Sequence, residues 1–133
     1  MTDPAVSITE RIVQARSVDP HQANQFEWGS IQWLVSDRLD EGAQMTFGHV
    51  EIKPGRKNPR HIHPNCDEVL YLIEGELDHS MNSEIVRLRP GMSLFIPAHA
   101  PHDAVNVGNV TARMVVSYSS GDRQTVMLEA GEE

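Results

Sequence analysis

The sequence predicts an all-β fold built as a small antiparallel β-barrel, and three observations carry that expectation. Eight Pro and nine Gly punctuate 133 residues and cut the chain into segments of strand length. Between the breaks, β-branched and apolar residues alternate with polar ones, the period of a half-buried strand. Helical spacing occurs only near the start, and the length suits one domain.

Taken in order, the elements read as follows. Ile8, Ile12 and Val13 recur at helical spacing behind Ser7 or Thr9 as a cap, with Glu10 in the first turn. Residues 18–26 are polar and read as a loop. Ile31, Trp33 and Val35 share one parity and mark the first strand. In the next, Met45, Phe47 and His49 share one face, with Val50 and Ile52 on the other. Residues 69–73 are continuously apolar, the pattern of a strand buried on both faces. Ala112, Met114, Val116 and Tyr118 alternate with Arg113, Val115 and Ser117. The acidic tail from residue 119 reads either as a last edge strand through residues 125–128 or as partly disordered. The expected organisation is an N-terminal arm for packing or dimer contact (1–35), a barrel (36–120) and an acidic C-terminal tail (121–133).

Charge and composition narrow the function. Nineteen acidic residues against eleven basic ones give a net charge of -8, a field that repels a nucleic-acid backbone. No apolar run reaches the roughly 18 residues that cross a bilayer, so no membrane partner is expected. The first residues carry Asp3 and Glu10 and lack the basic start and apolar stretch of a signal peptide. A single Cys, Cys66, excludes an internal disulfide and fits a reducing compartment, so a cytoplasmic protein is expected.

Seven His in so small a chain point to chemistry. His61 and His63 are two apart, so on a strand both imidazoles face one side and converge on one point. Pro64 and Asn65 favour a turn that swings Glu68 back beside them. His102 stands at a second strand–turn junction, behind Pro97 and Pro101.

These residues carry a family resemblance. The series Gly55, His61, His63, Glu68 and Gly75 resembles the first signature motif of the cupin superfamily. Gly91, Pro97, His102 and Asn106 resemble the second. The likeness covers about residues 33–118. It implies a cupin-type barrel, a double-stranded β-helix or jelly roll, in the manner of small single-domain cupins. It also implies that His61, His63, Glu68 and His102 bind one divalent metal ion: Fe2+, Mn2+, Ni2+, Co2+ or Zn2+. Such a set leaves two neighbouring coordination positions for a substrate. The chain departs from the pattern at His99, where the family usually has a Gly. His is among the few other residues that tolerate a positive φ.

Other residues are candidates around such a site. Lys53, Arg56, Lys57 and Arg60 crowd the approach to His61, and Arg56 and Arg60 are candidates to draw in an anionic substrate. His49 and His99 are candidate acid–base groups, and His79, two residues after Leu77, is a further open candidate. Tyr71 and Phe95, with Met45 and Met92, read as core or pocket wall, and Tyr71 and Phe95 are candidate substrate-binding residues beside Arg56 and Arg60. The expected function is that of a metal-dependent enzyme acting on a small oxygenated, anionic molecule. A dioxygenase type is slightly favoured over an isomerase, epimerase or lyase of a sugar or hydroxy acid. The alternative class is a non-catalytic cupin that binds a small molecule. A homodimer is expected, because the open edge of a small barrel invites a second copy.

Overall fold

The computed structural model describes residues 15–131. Among them are eleven strands: β1 (Asn24–Gln25), β2 (Gly29–Val35), β3 (Thr46–Ile52), β4 (Lys57–Ile62), β5 (Glu68–Glu74), β6 (Leu77–Met81), β7 (Glu84–Leu88), β8 (Ser93–Ile96), β9 (His102–Asn106), β10 (Ala112–Tyr118) and β11 (Val126–Met127). A single 3-10 turn at Pro20–Gln22 precedes them, capped by the side chain of Asp19. Among the described residues no helix is long and apolar enough to cross a membrane. The helix expected around Ile8 and Val13 lies outside the described residues.

The strands form two antiparallel sheets facing each other, which confirms the expected all-β barrel. The larger has the order β1-β2-β3-β10-β5-β8 and the smaller β11-β4-β9-β6-β7. Alternation decides what fills the space between them. Ile31, Val50, Ile52, Leu70, Leu72, Met114 and Val116 face inward from the larger sheet, and Leu77, Leu88 and Ala104 from the smaller. The tight corners use the residues that the motifs supply. Gly75 turns β5 into β6 with φ 93°, and a Cβ there would meet the Cα of Ala112 at 2.7 Å. His99, in the position where Gly was expected, does take a positive φ, 70°. Asn106 closes the far end. Its Nδ2 donates to the carbonyls of Ile52 and Val110, and its Oδ1 accepts from the Gly108 N–H.

One expectation changes. Residues 69–73 are not buried on both faces. Leu70 and Leu72 face the core, but Val69, Tyr71 and Ile73 point outward, 44%, 44% and 39% exposed. An apolar run carries no phase, so it shows that both faces suit cover without showing that both receive it. The described parts of both flanking regions pair with the sheets. β2 belongs to the larger sheet, and Gln32 bonds back to Ser17 and Asp19. β11, in the acidic tail, pairs with β4, Val126 opposite Ile62 and Met127 opposite His61.

Candidate metal centre

The two sheets bring His61, His63, Glu68 and His102 together at one end of the barrel, all four buried. His61 and His102 face each other across the β4–β9 ladder. A register shift between Asn58 and His61 turns both of these residues inward, an extra residue in one strand re-aiming a side chain. His63 follows the end of β4, and Glu68 opens β5 after the Pro64 turn. The ligand atoms of the three imidazoles all lie within 4.8 Å of one another. The Oε1 of Glu68 stands 3.4 Å from Nε2 of His63 and 3.2 Å from Nε2 of His102. Donors about 2.1 Å from a shared ion sit about 3 Å apart in neighbouring positions, so these spacings fit one first-row metal.

Backbone carbonyls fix the tautomers. Nδ1 of His61 donates to Pro59 O at 2.7 Å, Nδ1 of His63 to Gln124 O at 2.9 Å, and Nδ1 of His102 to Ala100 O at 2.8 Å. A carbonyl only accepts, so each Nδ1 carries a proton, and in the neutral form of each imidazole the lone pair is then on Nε2, which turns inward. His99 contributes through its backbone, its N–H donating to the carbonyl of His63 at 3.0 Å.

That arrangement sets lone pair against lone pair. Nε2 of His63 and Oε1 of Glu68 are buried, and neither has a hydrogen-bond partner among the described residues. A cation between them resolves the conflict, and the donor set, three imidazoles and one carboxylate, is one that divalent first-row metals accept. The electrostatics agree. Burial, and then the neighbouring His102, push the pKa of His61 down to about 3, so its ring is neutral at neutral pH. Burial works to raise the Glu68 carboxyl, but positive charge at the Nε2 side of His102 and His63, a ring proton or a cation in its place, outweighs burial and holds the group ionised, well below the usual carboxylate range.

Beside these donors lies a small internal cavity, with about 20 Å³ of room for a water-sized body. His61, Glu68, His79, His102 and Asn58 give it a polar wall; Leu70, Met114, Val116, Tyr118 and Trp28 make the rest apolar.

Several expected site residues lie elsewhere. His49 is buried but on the outer face of β3, because Val50 and Ile52 line the interior and alternation sends His49 the other way. The side chain of His99 is exposed. Tyr71 and Phe95 are on the outer face of the larger sheet, Phe95 56% exposed, and Met45 and Met92 are exposed too. Arg56 pairs with Glu27 at the far end of β4, about five strand residues from His61. Arg60 alternates outward and is held by Ser80, the Asn82 carbonyl and Asp103. None of these lines the cavity, so the basic run forms no rim around it. The sequence reading missed Asn58, whose inward turn depends on the bulge, and Gln124, whose contribution is a main-chain carbonyl with no residue signature.

A family model described as "Cupin domain" matches residues 48–118. The tetracenomycin polyketide synthase protein TcmJ of Streptomyces glaucescens is 44% identical over 91 residues, 68% of this chain and 61% of that protein. Polyketide synthase CurC of Streptomyces cyaneus is 32% identical over 110 residues, 82% of this chain and 69% of its own length. Among solved structures, oxalate decarboxylase of Lactobacillus farciminis superposes with TM-score 0.75 at 19% identity, covering 88% of this chain and 40% of that one. Recombinant oxalate oxidase in complex with glycolate gives TM-score 0.68 at 25% identity, covering 86% and 59%. The chain thus spans less than two thirds of the tetracenomycin protein and of both solved chains.

Proposed function

The chain belongs to the cupin family, and from that premise we propose that it is a mononuclear divalent-metal enzyme whose substrate is a small, oxygen-rich, enolisable molecule. The observation that carries this reading is the buried Nε2 of His63 facing the buried Oε1 of Glu68 with no donor between them. The relatives named for polyketide synthases favour the substrate class, since polyketides are rich in neighbouring carbonyl and hydroxyl groups. A divalent ion at these donors would polarise a carbonyl and stabilise the enolate formed beside it.

The chain's own residues supply the rest. The carbonyls of Pro59, Ala100 and Gln124 orient the three rings, so their lone pairs are in place before any ligand arrives. Glu68 lowers the net charge of the centre. Leu70, Met114 and Val116 exclude bulk water and strengthen every polar contact inside. A cavity of about 20 Å³ admits only the coordinating end of a substrate.

A second, oxygen-dependent reading is favoured by a relative, the wheat oxalate oxidase GF-2.8, 34% identical over 57% of this chain. One experiment separates the two. Protein purified without added metal is assayed for first-row metals and then for oxygen uptake with β-diketones, catechols and hydroxy acids. One metal per chain, lost in His61→Ala, is the expected result; absence of any metal that copurifies or rebinds overturns the proposal. Oxygen uptake selects the dioxygenase reading, and substrate turnover without it selects Lewis-acid chemistry. A folded protein that binds these molecules and turns over none is a binding module.

A further inference from the structure

The barrel interior holds a fourth imidazole that the metal centre does not use. His79 lies on β6, opposite Ala104 of β9 and Val86 of β7, and it points inward because Leu77, two residues before it, is core. It is 1% exposed. Its ring lies parallel to that of His102, centroids 5.8 Å apart and planes 11° from each other. It lines the same small cavity as His61, Glu68 and His102.

His79 differs from the three converging rings in one respect. Each of those has its Nδ1 anchored on a carbonyl at 2.7–2.9 Å. Nδ1 of His79 is buried and has no hydrogen-bond partner among the described residues. A ring prepared as a metal ligand has its second nitrogen fixed. The second nitrogen of His79 is not: Nδ1 is unpaired in a ring that lines the cavity, and an unmet buried polar atom destabilises the empty protein. His79 is also outside the group whose ligand atoms lie within 4.8 Å of one another.

We infer that His79 is a substrate-binding residue: its imidazole hydrogen-bonds an oxygen of the ligand that enters the cavity beside the His61, His63 and His102 cluster. The inference rests on the metal-centre reading and adds to it a specificity for ligands with a second oxygen, such as hydroxy acids and enolised diketones. The first oxygen takes an open coordination position, and the second meets His79. A ligand with one oxygen leaves the imidazole unmet.

The test uses cobalt-loaded protein, whose visible bands report the coordination sphere, titrated with glycolate. His79→Phe and His79→Leu remove the nitrogen while filling the space, and His79→Asn keeps a polar atom near the Nδ1 position. The expected result is one cobalt per chain in all four proteins, with cobalt affinity within about threefold. Glycolate binding weakens about tenfold in the Phe and Leu variants and is largely restored in Asn, the effect of one lost hydrogen bond. The metal-free Phe or Leu variant melts at or above the wild-type temperature. Unchanged glycolate affinity in whichever nitrogen-free variant folds overturns the inference, because a ring kept for packing predicts that outcome. So does loss of cobalt from these variants, which makes His79 a ligand, or a wild-type cobalt spectrum indifferent to glycolate. Failure of the wild-type protein to take up cobalt overturns the metal-centre reading first and this inference with it.

Discussion

The two ends of the barrel obey the same alternation and are filled in opposite ways. At one end the inward positions hold His61, His63, His79, His102 and Glu68, with lone pairs directed at one another. At the other they hold Ile52, Leu72, Leu77, Leu88 and Ala112, each 1% exposed or less. Adjacent residues of one face change roles within two steps: β6 goes from Leu77 to His79, and β5 from Glu68 to Leu70 and Leu72. The polar end stores unmet interactions, and the apolar end supplies the burial that tolerates them. Such a division lets the site vary while the fold persists.

The largest effect expected from this contrast is at the apolar end. Leu77→Ala removes a fully buried side chain and should destabilise the protein by about 2–5 kcal/mol in chemical denaturation. Metal affinity of the folded fraction should stay as in the wild type. A matching fall in that affinity would show that the two ends are one unit.

Acid should act on the polar end alone. His61 and His79 are pushed down to about 3 and about 4, in both cases chiefly by burial and then by His102, against about 6.5 for a free imidazole. Between those values the unfolded chain takes up protons that the folded one refuses. Stability of the metal-free protein is therefore complete above pH 6.5 and falls as the pH drops towards 4. For His79 the full effect is on the order of 3 kcal/mol. Denaturation midpoints at pH 7 and pH 4.5 measure it, and His79→Phe should remove its share of the fall and leave the share that belongs to His61. A flat wild-type profile would mean that the polar end is already satisfied.

The smallest effect belongs to the surface. Arg87, on the outer face of β7, pairs with Asp78 and Glu76 in full view of solvent. Arg87→Gln should shift stability least of the three, and added salt should shrink even that. A larger loss would place part of the fold's stability outside the barrel.

The convergence of His61, His63, Glu68 and His102 was legible because fixed spacing on strands fixes direction, and the turn at His99 because few side chains accept its φ. Tyr71 and Phe95 were misplaced for the opposite reason. When both parities of a strand are apolar, spacing does not say which faces inward. Arg56 and Arg60 drew attention as a basic run, but Glu27, Asp103 and Ser80, which hold them, are distant in sequence. His49 and His79 look alike in sequence; only the phase of β3 against β6 separates an outer face from the cavity.

The carbonyl of Gln124 and the β11 pairing have one more consequence, in the order of synthesis. A nascent chain that has emerged through Tyr118 already contains every donor of the centre. His63 is then still free to rotate, since the carbonyl that holds it has not been made. The four donors are therefore complete, with His63 fixed, only once Gln124 has been made, a main-chain oxygen more than fifty residues downstream of the ring it steadies.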